Sequence, residues 1–234
     1  MEIDCHMNNA SRLLYAVAIT AIGALHFIFG HTLEGLLPFK ENVFRTYLDG
    51  SILTLCGLGL LFRVRPLLVS TVLAAWCIIL YLLIFLRGEI VTPRDPAVWT
   101  GAAEILALAG GAFIWGGRRR PGEWLLCVCL VIVGIQHFLY APFIAGLIPT
   151  WIPFGLFWAY FVGVAFLGAT ASILFHIRTR LVCSLLGLMF FLWVIVLHIP
   201  RVVAAVHTET EWTSLFVALG MSGIAWMLAL DRKA

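Results

Sequence analysis

Two histidines occupy matching contexts, His26 in Gly23-Ala24-Leu25-His26-Phe27 and His137 in Gly134-Ile135-Gln136-His137-Phe138. At helical spacing His26 shares a stripe with Gly23 and Gly30, and His137 one with Gly134 and Ala141, so each imidazole should face a neighbouring helix across small residues. Glu104 lies on a similar stripe, between Gly101 and Leu108 and continuing to Gly111. Imidazoles and a buried carboxylate can exchange protons with a reacting oxygen, and a guanidinium can stabilise negative charge as it develops. His26, His137, Glu104 and Asp49 are therefore the candidate catalytic groups. Arg87, His198 and Arg201 are candidate substrate-binding groups, with Tyr47, Trp76, Trp99, Trp158, Tyr160 and Trp193 as aromatic walls. Plainer roles compete: an imidazole can bond a backbone carbonyl, Glu104 can pair with Arg87, Arg201 can snorkel to the surface, and the aromatics can anchor at an interface.

The elements that position these groups are set by composition. Of 234 residues 62% are hydrophobic and only 12% charged, against about 45–50% hydrophobic in soluble domains, and the mean hydropathy is +1.04. Nearly uncharged runs at 13–29, 66–86 and 181–197 approach the roughly 20 residues that cross a bilayer, where the backbone must be helical to satisfy its own polar groups. The pattern predicts an all-α integral membrane protein with about eight transmembrane helices, at 11–31, 46–62, 66–87, 98–116, 123–141, 154–175, 179–199 and 212–230. Residues 1–10 form a short polar tail, and the first run reads as a permanent helix because seven comparable segments come after it. Breakers and charges fill the connections, among them Pro38, Pro66, Pro93, Pro96, Pro149 and Pro153. With the N-terminus inside, the inner side collects Arg12, Arg63, Arg65, Arg118, Arg119, Arg120, Arg178, Arg180, Arg232 and Lys233, leaving Lys40, Arg45, Arg87, Arg94 and Arg201 outside. Both termini should then face the cytoplasm, in a bacterial inner membrane. The ionisable groups named above fall together in the outer half, as a pocket open to the outer leaflet.

The histidine motifs recur at an offset of 111, and beyond a two-residue insertion the offset is 113. Tyr47 and Gly50 match Tyr160 and Gly163, Phe62 and Arg65 match Phe175 and Arg178, and Trp99-Thr100 matches Trp212-Thr213. This predicts two parallel four-helix repeats, 11–117 and 118–234, within one membrane domain. The duplication is imperfect, because Glu104 aligns with Val217 and Asp49 with Val162.

A four-helix hydrophobic unit with a Gly-x-x-His-Phe helix, a Gly-rich second helix ending in an Arg-x-Arg turn and an acid in its last helix resembles the DoxX family, here in tandem over nearly the whole chain. The resemblance implies membrane redox work, since relatives include membrane subunits of a thiosulfate:quinone oxidoreductase. The leading expectation is a redox-linked protein binding a quinone or another lipid-soluble molecule, with a redox partner protein or bound cofactor supplying electrons that side chains cannot. A cofactor-free isomerase or cyclase acting on a lipid or isoprenoid is the alternative, with Glu104 as acid and aromatic walls to stabilise a cation. A transporter or assembly factor is a third, counted against by the expected absence of helices broken within the membrane. Haem between His26 and His137 is disfavoured, because no further haem signature surrounds them. No retinal-type Schiff base is available, since the only lysines, Lys40 and Lys233, lie outside the helices. No metal site is expected: His26 and His31 are five apart, and Cys127 and Cys129 point to different helix faces. Membrane lipids are the expected surroundings, and no nucleic-acid partner is expected.

Overall fold

In the computed structural model the described residues are 2–33, 36–37, 42–86 and 96–230, with the side chains of 2–8, 85 and 86 left out of the description. Within these residues the chain is helical, with no strand. The elements are α1 (Glu2–Phe29), α2 (Val43–Leu61), α3 (Pro66–Leu86), α4 (Pro96–Trp115), α5 (Arg119–Leu139), α6 (Ala141–Leu147), α7 (Gly155–Leu174), α8 (Thr179–Trp193), α9 (Ile199–Ala204) and α10 (Glu209–Leu230). A π turn, Val194–His198, joins α8 to α9.

Seven stretches are long and apolar enough to cross a membrane: Asn9–Phe29, Pro66–Ile84, Pro96–Trp115, Arg119–Leu139, Gly155–Leu174, Thr179–Ala204 and Glu209–Leu230. The chain is thus an α-helical membrane protein. The 19-residue α2 falls outside this set because Arg45, Thr46 and Asp49 crowd its first turns. Three boundaries depart from the sequence reading. The segment expected as a tail continues α1 back to Glu2. The fifth helix ends at Leu139, and the chain turns at once into α6, whose Pro142 sits in its first turn, where a missing N–H costs nothing. The seventh is interrupted by the π turn, so the expectation of unbroken helices does not hold. Its cause is Pro200, whose ring would clash with the carbonyl four residues back; the wider turn lets the Ile199 N–H reach Val194 O instead.

At the centre α4 and α10 pack on each other; α4 also packs along α3 and α5, and α10 along α8 and α1. Outside them α2 lies against α1 and α7 against α5. Interhelical hydrogen bonds tie these layers. Tyr15 Oη donates to Leu108 O at 2.6 Å, Ser222 Oγ to Gly187 O at 2.9 Å and Trp226 Nε1 to Ser184 O at 3.1 Å. With no solvent-driven hydrophobic force between helices in lipid, such bonds and close small-residue packing hold the bundle.

Local geometry recurs between the halves. At Gly50 an added Cβ would lie 2.8 Å from His26 Cβ and 3.1 Å from the Phe27 ring; at Gly163 it would lie 3.1 Å from His137 Cβ and 2.7 Å from the Phe138 ring. The Phe27 and Tyr47 rings stand 5.7 Å apart, and Phe138 and Tyr160 5.9 Å. After α2, Arg63 and Arg65 take positive φ of 55° and 42°; after α7, His176 and Arg178 take 54° and 49°. Each turn is closed by the same kind of bond, Val64 N–H to Gly59 O at 2.8 Å and Ile177 N–H to Ser172 O at 2.9 Å.

Candidate functional site

A cavity of about 450 Å3 opens where α4, α5, α6, α7, α8, α9 and α10 meet. Its walls are mostly apolar, with Ile144, Leu147 and Ile148 of the α6 region on one side and Val162, Leu192 and Val196 on another. Into it project Glu104 from α4, His137 from α5, His198 from the π turn, Arg201 from α9 and Ser214 from α10. A smaller recess of about 150 Å3 shares Glu104, His137, Trp193, His198 and Ser214 and is floored by Cys129, Phe166, Phe190 and Met221. An apolar cavity with a few converging polar groups is the usual form of a small-molecule site.

Some of these polar groups are held by the protein and others are left without a partner. His137 Nδ1 lies 2.8 Å from Val133 O. A carbonyl only accepts, so Nδ1 carries a proton, and in the neutral form of the ring the lone pair is on Nε2. The ring is fixed edge-on against Phe166, with centroids 5.3 Å apart. Phe166, Phe190 and Trp193 pack together in turn, with Phe166 and Phe190 stacked at 5.6 Å. Arg201 donates from Nη2 to Glu211 Oε1 at 2.8 Å, closing α9 onto α10 at the rim. His198 Nδ1 and Glu211 Oε2 are buried with no hydrogen-bond partner among the described residues. Glu104 likewise makes no hydrogen bond or ion pair with any described residue. A carboxyl in that position must be neutral or take its partner from whatever enters the cavity.

Of the residues singled out from sequence, the cavity gathers Glu104, His137, His198, Arg201, Trp158 and Trp193. It does not gather the rest. His26 is fully buried between α1 and α2, its Nδ1–H donating to Ile22 O at 3.0 Å and its Nε2 without a partner. Asp49 is also fully buried and paired with Arg45 at 3.5 Å, with the Trp76 indole facing the same carboxyl. Tyr47 and Tyr160 are exposed on the outer surface, and Trp99 does not line the cavity. Arg87 lies outside the described residues. The expectation of one pocket containing both histidines is therefore corrected: tight packing at Gly50 seals His26 away.

No family model, characterised protein or solved structure matches the chain. The site must therefore be read from its own chemistry. Ser214, Glu211 and the α6 wall were not singled out from sequence. Ser214 and Glu211 lie on α10, where the residue aligned with Glu104 is Val217. The two-residue insertion after His137 was the one sequence signal that this region differs from its counterpart. Among the described residues no group of three His, Cys, Asp or Glu side chains is placed to hold a metal ion. The described cysteines, Cys56, Cys77, Cys127, Cys129 and Cys183, are free and buried, as small hydrophobes are.

Proposed function

We propose that this chain is a tandem DoxX-like protein of a bacterial inner membrane, with eight crossings and both termini in the cytoplasm, that binds a quinone or similar lipid-soluble molecule in the Glu104–His137 cavity as part of a redox process. The matched histidine–glycine seams, ring pairs and positive-φ turns after α2 and α7 support the duplicated layout, with α2 as the additional crossing. The observation that carries the functional reading is the convergence of an unpartnered carboxyl, an imidazole with a free Nε2 and a guanidinium in a cavity whose walls are otherwise apolar.

When bound, a quinone supplies the redox chemistry, taking up two electrons and two protons to become a quinol, with the electrons coming from a partner protein. The chain's own groups serve the proton side. A protonated Glu104 donates a hydrogen bond to a carbonyl oxygen, His137 Nε2 accepts from a hydroxyl, and Arg201 stabilises negative charge at the rim. The apolar walls exclude water and strengthen each of these interactions.

The unpartnered Glu104 beside Trp158 and Trp193 also fits the second reading, acid catalysis on an isoprenoid through a carbocation. An absorption spectrum of the detergent-purified protein, with organic extraction and mass spectrometry, separates the two. A stoichiometric quinone, lost in Glu104→Gln and His137→Ala, is the expected result. A protein that carries no quinone but holds an isoprenoid released by the same variants favours the acid catalyst.

A further inference from the structure

The described surface carries a second concavity that the proton chemistry does not use. An apolar groove of about 650 Å3 runs between α7 and α8, from Trp158 and Trp193 down to Gly168 and Val182. Trp158, Val162, Leu192 and Trp193 line both this groove and the Glu104–His137 cavity, so the two spaces meet along one boundary. Along it Trp158 is pinned, its Nε1 donating to Pro153 O at 3.1 Å, and Trp193 is held by Phe166 and Phe190. Farther down, Gly168 is exposed, and an added Cβ there would meet nothing within 4 Å. This space is open floor on a lipid-facing wall, whereas Gly163, one helical turn and a half earlier, is filled by Phe138 and His137.

We infer that the α7–α8 groove is the lateral entry from the bilayer and the seat of the ligand's tail, so that the ligand is an amphiphile with a polar ring or headgroup in the cavity and a long isoprenoid or alkyl chain along α7. The inference rests on the proposed binding reading and adds the substrate class and the route. Its physical basis is that a headgroup enclosed beside Glu104 must pass its tail out somewhere, and the shared boundary leads onto a surface of matching polarity. In lipid an apolar tail gains little from apolarity alone, because the surrounding acyl chains are equally apolar. The groove therefore acts by shape, and a large side chain at Gly168 would fill part of it.

The test uses the full-length protein in phosphatidylcholine nanodiscs, following quenching of its tryptophan fluorescence, to which Trp158 and Trp193 contribute, by a tail-less naphthoquinone and by one with a long isoprenoid tail. Gly168→Phe fills part of the groove on an exposed helix face and leaves the core untouched; Ala165→Phe, on the same wall, is the second variant. Both should weaken the long-tailed probe by about tenfold or more and leave the tail-less probe within about twofold of wild type. Equal binding of the long-tailed probe to wild type and both variants overturns the inference. If neither quinone binds wild type, the quinone reading fails, and mass spectrometry of the co-purified molecules then decides the route. A long-chain amphiphile present in wild type and lost in Gly168→Phe keeps the lateral entry, whereas identical extracts overturn it.

Discussion

His26 and His137 stand on the same seam, each with its Cβ against a glycine of the next helix and its Nδ1–H on its own helix carbonyl, yet one is sealed and the other faces a cavity. The difference lies in the segment after each helix and in the helix that flanks it. After α1 the chain sinks inward, and Leu33, Leu36 and Leu37 are fully or almost fully buried. After α5 the chain turns outward as α6, with Phe143 exposed and Ile144, Leu147 and Ile148 roofing open space. The flanking helix differs too. Regular α3 runs through to Leu86, whereas the matching stretch of the second half breaks into the π turn and swings His198 and Arg201 over the cavity. At the remaining wall Asp49, locked to Arg45, is replaced by Val162, which lines the cavity. The surroundings of His26 are thus closed and those of His137 open, and the opening takes Glu104 from α4.

Substitution should cost most at the seam. Gly50→Leu would drive a side chain into His26 Cβ and the Gly23 carbonyl, which cannot yield, and should cost about 3 kcal/mol or prevent folding. Gly163→Leu meets first the edge of the Phe138 ring, which can swing aside, and should cost clearly less. Thermal melts in one detergent would measure both, and equal losses would deny that the first half is the tighter. Next in size, His26→Ala leaves a hole in a closed region and should cost about 2 kcal/mol. His137→Ala, beside space already open, should melt closer to wild type and show its effect instead in the quinone that co-purifies. Glu104→Gln keeps the shape of the cavity and removes its acid, so quinone affinity should fall by about tenfold with the melting temperature little changed. An unaltered affinity would place the ligand elsewhere. The smallest effect belongs to Arg201→Ala: its pair with Glu211 is partly exposed and worth about 1 kcal/mol or less, so a large loss of stability would mean that the rim contact does more than close α9 onto α10.

Much of the frame was legible in the amino-acid sequence. Long apolar runs located the helices, and the spacing of Gly23, His26 and Gly30 placed both imidazoles on helix contacts, where they are. Glu104, with small residues around it, was rightly turned inward. What spacing could not reveal was which inward-facing groups meet. His26 and His137 look alike locally, and their separation depends on how the chain after each helix packs, a long-range matter involving Leu33, Leu36 and Leu37. The π turn escaped for a related reason. Pro200 announces a distortion, but whether the helix ends, kinks or widens depends on the room beside Val196. Tyr47 and Tyr160 qualify as walls by their depth in the outer half of the membrane, and each spends its ring instead on the neighbouring phenylalanine at the surface.

On the function proposed above, a lipid-soluble quinone-like molecule seats in the second half and not in the first. Photolabelling the nanodisc-embedded protein with an azido-quinone, with the labelled peptides mapped by mass spectrometry, tests it most directly. Labels confined to 137–162 and 189–201, competed away by unmodified quinone and lost in Glu104→Gln, are the expected result. Competable labels on α1 to α3 around His26 and Asp49 would contradict the account.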